Sequence, residues 1–263
     1  MSQKATYLDR ILEHHRALAA NDDRSLADLV RRCEQMQAAR GFRVRLQMDA
    51  TQAIAVISEI KRKSPSKGLL RADLDPQFLA DAYQAGGASC LSVLTDEDFF
   101  AGSIEDLQIA AAACTLPVLR KDFTVSPQDV CDTRLMGADC VLLIAAALDP
   151  HELKDLHHLA TSIGLDVLVE IHDEAELEVA LFAEALLIGV NQRDLVTFEV
   201  DHHRALRMAG LIPPGVLRVA ESGVRGPADA LALHQAGYHA VLVGESLVTA
   251  DDPTLALRAL RNL

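Results

Sequence analysis

Positive charge is scarce in this chain: 25 Lys and Arg stand against 38 Asp and Glu, a formal net charge of −13. A nucleic-acid or anionic-membrane partner wants a basic face, so neither is expected. Long apolar runs are missing as well. The stretch "VLLIAAAL" (Val141 to Leu148) falls far short of the roughly 20 residues that span a bilayer. The opening "MSQKATYLDRILEHH" has no apolar core of signal-peptide type, so a cytoplasmic protein is expected. Cysteines are few, and Cys33, Cys90, Cys114, Cys131 and Cys140 contain no C-x-x-C pair. They read as reduced, buried thiols, with no metal and no disulfide expected. No linker or low-complexity stretch marks a second domain.

What is present is apolar and regular. Half of the 263 residues are hydrophobic and 24% are charged, enough for a sizeable core and unlike a disordered chain. A single α/β barrel of about 250 residues is a common use of that length. Short apolar runs recur about every 25 residues: "AIAVISEI" (53–60), "CLSVLT" (90–95), "LPVLRK" (116–121) and "CVLLIA" (140–145). "LDVLVEI" (165–171), "LLIGVN" (186–191), "VLRVAE" (216–221) and "AVLVGE" (240–245) complete a set of eight. Continuous Val, Ile and Leu suit parallel strands covered on both faces.

The intervals predict helices. "DPQFLADAYQAGG" opens on Asp75 and Pro76, a cap followed by a helix-initiating proline, and closes on glycine. "SPQDVCDTRLMG", "DPHELKDLHHLATSIG" and "GPADALALHQAG" follow the same grammar. Eight strand–helix units predict a (β/α)8 barrel over 53–263. Residues 1–52 are nearly free of glycine, and "ATYLDRILEHHRALAA" and "SLADLVRRCEQMQAARG" read as two helices of an appended extension within one domain.

In such a barrel chemistry lies at the carboxyl ends of the strands, and residues two apart share a face. Glu59 and Lys61 end the first predicted strand, Lys121 the third and Glu170 the fifth. Asn191 and Arg193 end the sixth, and Glu221 and Ser222 the seventh. One charged strand end only marks where a strand meets water. Five at one rim, each beyond an apolar strand, point to a site or to a stabilising ion network. After the seventh and eighth strands come "ESGVRGPADA" and "VGES", where Gly223 and Gly244 permit close backbone approach. Loops in those places commonly hold phosphate. Ser64 and Ser66 in "SPSKG", with Lys61 nearby, would close the cradle.

Taken in order, "SEIKRKSPSKG", "LSVLTDEDFFAGS", "PVLRKDF", "ADCVLLIAAAL", "LIGVNQRDL" and "VAESGV" resemble the indole-3-glycerol-phosphate synthase family of tryptophan biosynthesis. The likeness runs from about Ile54 to the end, and a helical leader is also a family feature. It implies closure of 1-(2-carboxyphenylamino)-1-deoxyribulose 5-phosphate to indole-3-glycerol phosphate, with loss of carbon dioxide and water. The phosphorylated small molecule would be the partner, and no cofactor or metal is implied. Association with other tryptophan-pathway enzymes is not legible in the apolar pattern.

Lys121 matches the family's general acid, and Lys61 matches a cation for the substrate carboxylate or a second acid. Glu170 resembles the candidate base. Asn191 would orient the sugar hydroxyls and Glu59, and Glu221 a hydroxyl or Lys121. Arg193 would assist at the carboxylate. Ser64, Ser222, Gly223, Gly244 and the amide of Glu245 look like phosphate contacts, and Phe99 and Phe123 like walls for the aromatic ring.

Some positions depart from that pattern. Gln192 receives no role. Glu245 stands where many relatives carry serine, and its carboxylate is expected to turn away from an anion. "LFAEALLIG" lacks the glycine that usually precedes the sixth strand. His14/His15, His157/His158 and His202/His203 are adjacent pairs that diverge on a helix. His172 is read as structural. Two rivals stay open: another phosphate-binding barrel enzyme, such as a phosphoribosylanthranilate isomerase, and a catalytically silent ligand-binding barrel.

Overall fold

The computed structural model describes residues 6–65, 67–194 and 196–261, so Ser66 lies outside the described residues. Strand β1 (Ala55–Ile60) is followed by a short antiparallel hairpin of β2 (Lys63–Ser64) and β3 (Gly68–Leu69). Then come β4 (Cys90–Leu94), β5 (Val118–Lys121), β6 (Cys140–Ile144) and β7 (Asp166–Ile171). β8 (Leu187–Asn191), β9 (Leu217–Glu221) and β10 (Ala240–Val243) complete the set. Without the hairpin, the strands close a barrel in the order β1-β10-β9-β8-β7-β6-β5-β4. Every pairing is parallel.

All eight barrel strands fall inside the runs read from sequence. Their positions are buried throughout β1, β4, β6, β8 and β10, because helices cover one face and the lumen packs the other. The connecting helices begin as their caps dictate. Asp75 accepts from the amides of Gln77 and Phe78, and Pro76 opens the helix Pro76–Gly86. Ser126 with Asp129, and Asp149 with Glu152, close reciprocal capping boxes.

One turn lacks its expected glycine. Before β4, β6, β7 and β10 the chain turns through Gly87, Gly137, Gly164 and Gly237 at φ of 92°, 93°, 85° and 95°. Before β8 the left-handed position is taken by Glu184 at φ 62°. A side chain there costs about 1–2 kcal/mol, against about 0.5–1 kcal/mol for glycine's extra unfolded freedom. Glu184→Gly is therefore expected to stabilise the fold by up to about 1 kcal/mol, read as a higher urea midpoint at unchanged slope. A lower midpoint would mean that the exposed Lys154–Glu184 pair outweighs the relief of strain.

The amino-terminal extension has three helices where the sequence suggested two: α1 (Tyr7–Ala20), α2 (Leu26–Glu34) and α3 (Phe42–Asp49). The second expected helix stops early because Arg40 is drawn to the barrel. Its amide and Nε donate to buried Asp139 at 2.7 and 2.8 Å, and Asp139 also accepts from the Val118 amide at 2.8 Å. Tertiary hydrogen bonds thus override good helix formers. α3 then covers the amino end of the barrel: Phe42 and Leu46 are fully buried, and the Arg43 amide donates to Asp166 at the start of β7. α1 lies at the opposite end, over the carboxyl rim. Among the described residues, no helix is long and apolar enough to cross a membrane.

Candidate active site

Parity and register bring six sequence candidates to one place. Glu59, Lys61, Lys121, Glu170, Asn191 and Glu221, from the ends of five strands, line a cavity of about 380 Å³ at the carboxyl rim. Leu94, Leu142, Ile144 and Leu242 supply apolar lining between them. Glu170 is in register with Ile144 on one side and Gly189 on the other, and Asn191 pairs with Glu221.

Two glycines make room for the carboxylates. A Cβ at Gly189 would come within 1.9 Å of Glu221 Oε1, and one at Gly244 within 2.3 Å of Glu59 Oε1. Any side chain at either position would displace an acid of the site.

The charges are arranged as pairs. Lys121 Nζ lies 3.1 Å from Glu170 Oε2, and Asn191 Nδ2 donates to Glu170 Oε1 at 3.0 Å. Lys61 is paired with Glu59. Burial works to lower the Lys121 pKa, but the carboxylates of Glu170, Glu221 and Glu59 outweigh it and hold the ammonium above its ordinary value. Burial would raise Glu170; Lys121 and then His172 overcome this and hold it below the usual carboxylate range. Glu221 goes the other way. Its burial, reinforced by the neighbouring Glu170 carboxylate, pushes its pKa well above the usual value. Two lysines and three acidic side chains thus meet in one cavity.

The phosphate-type loops converge beside this cluster. Ser222 and Gly223 take successive left-handed conformations, φ 63° and 75°, in the bend that follows β9. Gln192 holds it: buried, it donates from Nε2 to the Ser222 carbonyl at 2.7 Å. The Ser246 hydroxyl donates to the Val224 carbonyl at 3.2 Å and ties the two loops together. Ser64, Gly244 and Glu245 also line the cavity. The Glu245 carboxylate is paired with Lys67, which joins the hairpin side of the mouth to this rim.

The walls differ in part from the sequence reading. Phe123 lines the cavity, but beside it stands Phe100, ring centroids 6.1 Å apart. Phe99 is not among the lining residues. Its ring meets Tyr7 at 5.7 Å and His14 at 5.8 Å, because it sits in the short helix Glu97–Phe100, whose successive side chains diverge. Arg193 lines the mouth; its amide donates to Asn191 Oδ1 and its guanidinium to the Phe198 carbonyl, both at 3.0 Å. His172 stands near Glu170, with Nδ1 3.0 Å from Glu176 and the buried Nε2 3.8 Å from Glu170 Oε1. Phe100, Lys67 and Gln192 escaped the sequence reading. Gln192 received no role from sequence, and its hydrogen bond to the Ser222 carbonyl in the loop after β9 supplies one.

A sequence model of the indole-3-glycerol phosphate synthase family matches residues 8–260. An indole-3-glycerol phosphate synthase of Bordetella pertussis is 47% identical over 242 residues, 92% of each chain. One of Polaromonas naphthalenivorans is 53% identical over 206 residues, 78% of each. Among solved structures, an N-acetylmannosamine-6-phosphate 2-epimerase of Clostridium perfringens superposes with TM-score 0.59 at 13% identity. It covers 76% of this chain and 90% of its own. A thiamine phosphate pyrophosphorylase of Pyrococcus furiosus gives 0.59 at 14%, covering 81% and 95%. At such identities these two share the fold alone.

Proposed function

The chain belongs to the indole-3-glycerol phosphate synthase family, and from that premise we propose a division of labour among its rim residues. The activity is that of a carboxy-lyase of tryptophan biosynthesis. It closes 1-(2-carboxyphenylamino)-1-deoxyribulose 5-phosphate to indole-3-glycerol phosphate, releasing carbon dioxide and water.

Lys121 is the general acid. As the ring carbon attacks the ketone, its oxygen gathers the charge of an alkoxide, far more basic than an amine, so transfer from even a firmly held ammonium runs downhill. Lys61 faces the substrate carboxylate, with Arg193 beside it. After carbon dioxide leaves, dehydration requires a base and an acid. Glu170, kept ionised by Lys121 and aimed by Asn191, takes the proton from carbon. Either lysine is placed to protonate the departing hydroxyl. The proton held by Glu170 then returns to Lys121 across their contact, and the second donated proton, consumed overall because a carboxylate leaves as carbon dioxide, is replaced from solvent. Ser64, Ser222, Gly223, Gly244 and the amide of Glu245 hold the phosphate. Phe123 and Phe100 flank the aromatic ring.

The observation that carries this reading is the Lys121–Glu170 contact of 3.1 Å within a buried, Asn191-anchored cluster. An acid touching a base serves proton transfer, whereas a pure binding pocket for an anion gains nothing from buried carboxylates. The test is to mix the purified protein with the carboxyphenylamino-deoxyribulose phosphate and follow the indole chromophore. Product formation is expected, and it disappears in Lys121→Ala. No turnover, with the ligand still raising the melting temperature, would replace the enzyme by a binding protein.

A further inference from the structure

We propose that His15 is a positioning residue for this reaction: as an imidazolium it latches α1 across the carboxyl rim and sets the cavity wall beside Lys121. His15 Nε2 lies 2.9 Å from Asp96 Oδ2 and 3.9 Å from Asp122 Oδ1. Both carboxylates are buried, with 4% and 5% of their surface exposed. They belong to different parts of the rim. Asp96 caps the short helix carrying Phe100, accepting from the Phe99 and Phe100 amides at 2.7 and 3.1 Å. Asp122 follows Lys121 directly. The imidazole ring itself stacks on Phe123, centroids 5.6 Å apart and planes tilted by 38°. One side chain of the extension therefore bridges two rim segments that line the cavity, one through Phe100 and the other through Asp122 and Phe123.

The charges around it are unequal. Asp122 already has a cation, Arg120, at 2.8 Å, and a hydroxyl partner in Thr95. Among the described residues, the ion partner of Asp96 is His15. From α1 itself His14 faces the same loop, at 3.0 Å from Asp98, and Tyr7 lies near Asp96. Asp129, on the next barrel helix, adds a further negative charge. A neutral imidazole would leave Asp96 buried without a counter-charge, a costly state that is relieved by opening α1 to water.

The sign follows. Burial lowers the His15 pKa, but the Asp96 hydrogen bond and the charges of Asp122, Asp96 and Asp129 outweigh it and raise it above the ordinary value. The latch is complete below the unfolded value of about 6.5 and is lost as pH rises through the higher folded one.

The latch rests on the active-site reading above, and its test separates the two. Steady-state turnover is measured from about pH 6 to about pH 9 for the wild type, His15→Lys and His15→Gln. Lysine keeps its charge over that range. The wild-type KM is expected to rise by about three- to tenfold with pH. In His15→Lys it stays near the low-pH value, and in His15→Gln it sits near the high-pH value throughout. Amide hydrogen exchange in α1, compared between variants at the same pH, is expected to follow the same order. Parallel profiles for wild type and His15→Lys would overturn the latch. A turnover that falls on adding a chelator would overturn it too, by making His15, Asp96 and Asp122 a metal site, since their ligand atoms lie within 4.8 Å of one another. Either result, with Lys121→Ala still inactive, leaves the active-site assignment standing. If His15→Lys fails to fold, the exchange of wild-type α1 against His15→Gln above and below neutrality decides the matter. Equal exchange at both would overturn the latch.

Discussion

Replacing Lys121 with alanine is expected to lower kcat by at least about 10²-fold while the barrel stays folded. Two losses combine in that variant. The ketone oxygen loses its proton donor, and Glu170 loses the cation that keeps it ionised. Glu170 is 1% exposed, so without the ammonium its burial raises its pKa and it takes up a proton, ceasing to be a base. Protonation also explains why folding survives, since a neutral acid in that position is far cheaper than a bare carboxylate. Lys121→Arg separates the two effects. Its guanidinium keeps a positive charge beside Glu170 but is a weaker acid than an ordinary ammonium and carries its protons on a rigid planar fork instead of at the Nζ position. A deep loss of kcat in both variants assigns proton donation to Lys121, whereas recovery in the arginine variant would reduce its role to charge. Near-normal turnover in Lys121→Ala would remove Lys121 from the mechanism.

Glu170→Gln is expected to cost about 10²- to 10⁴-fold in kcat with a much smaller change in KM. Glutamine keeps the shape and can still meet Asn191, but it accepts no proton. A change confined to KM would make Glu170 a binding residue instead. The wild-type pH profile adds a second check. A carboxylate held below its usual range stays ionised, so base function is present above the folded pKa and is lost only as pH falls through it. The acid limb of kcat therefore lies below the ordinary Glu range. Lys121 and Glu170 touch, so the double variant is expected to cost much less than the product of the two single losses. Fully multiplicative losses would mean that the two residues act in separate steps with no shared proton.

Much of the site was legible because period-two alternation and a buried parallel sheet leave few places for charge. Glu59, Lys61, Lys121, Glu170, Asn191 and Glu221 stand at strand ends where no apolar packing explains them. Phe99 and Phe100 show the limit of such reasoning. Both occur in "DEDFFAG", and only the short helix at Glu97–Phe100 turns the second towards the cavity and the first towards Tyr7. Gln192 is similar, since its partner is a carbonyl 30 residues away.

The sequence by itself determined the eight strands, most caps of the connecting helices and which side chains share the lumen face, because those depend on local period and on cap and turn chemistry. Tertiary structure alone decided which cation meets which carboxylate. It also decided that burial raises the Glu221 pKa while Lys121 holds that of Glu170 down, that Glu184 takes a left-handed turn, and that α1 arches over the rim while α3 covers the opposite end. Those outcomes depend on barrel register, on burial and on contacts such as Arg40–Asp139 and His15–Asp96, which join residues about a hundred positions apart, 99 and 81. No local pattern carries information over that separation; the closed barrel brings such residues within hydrogen-bond reach.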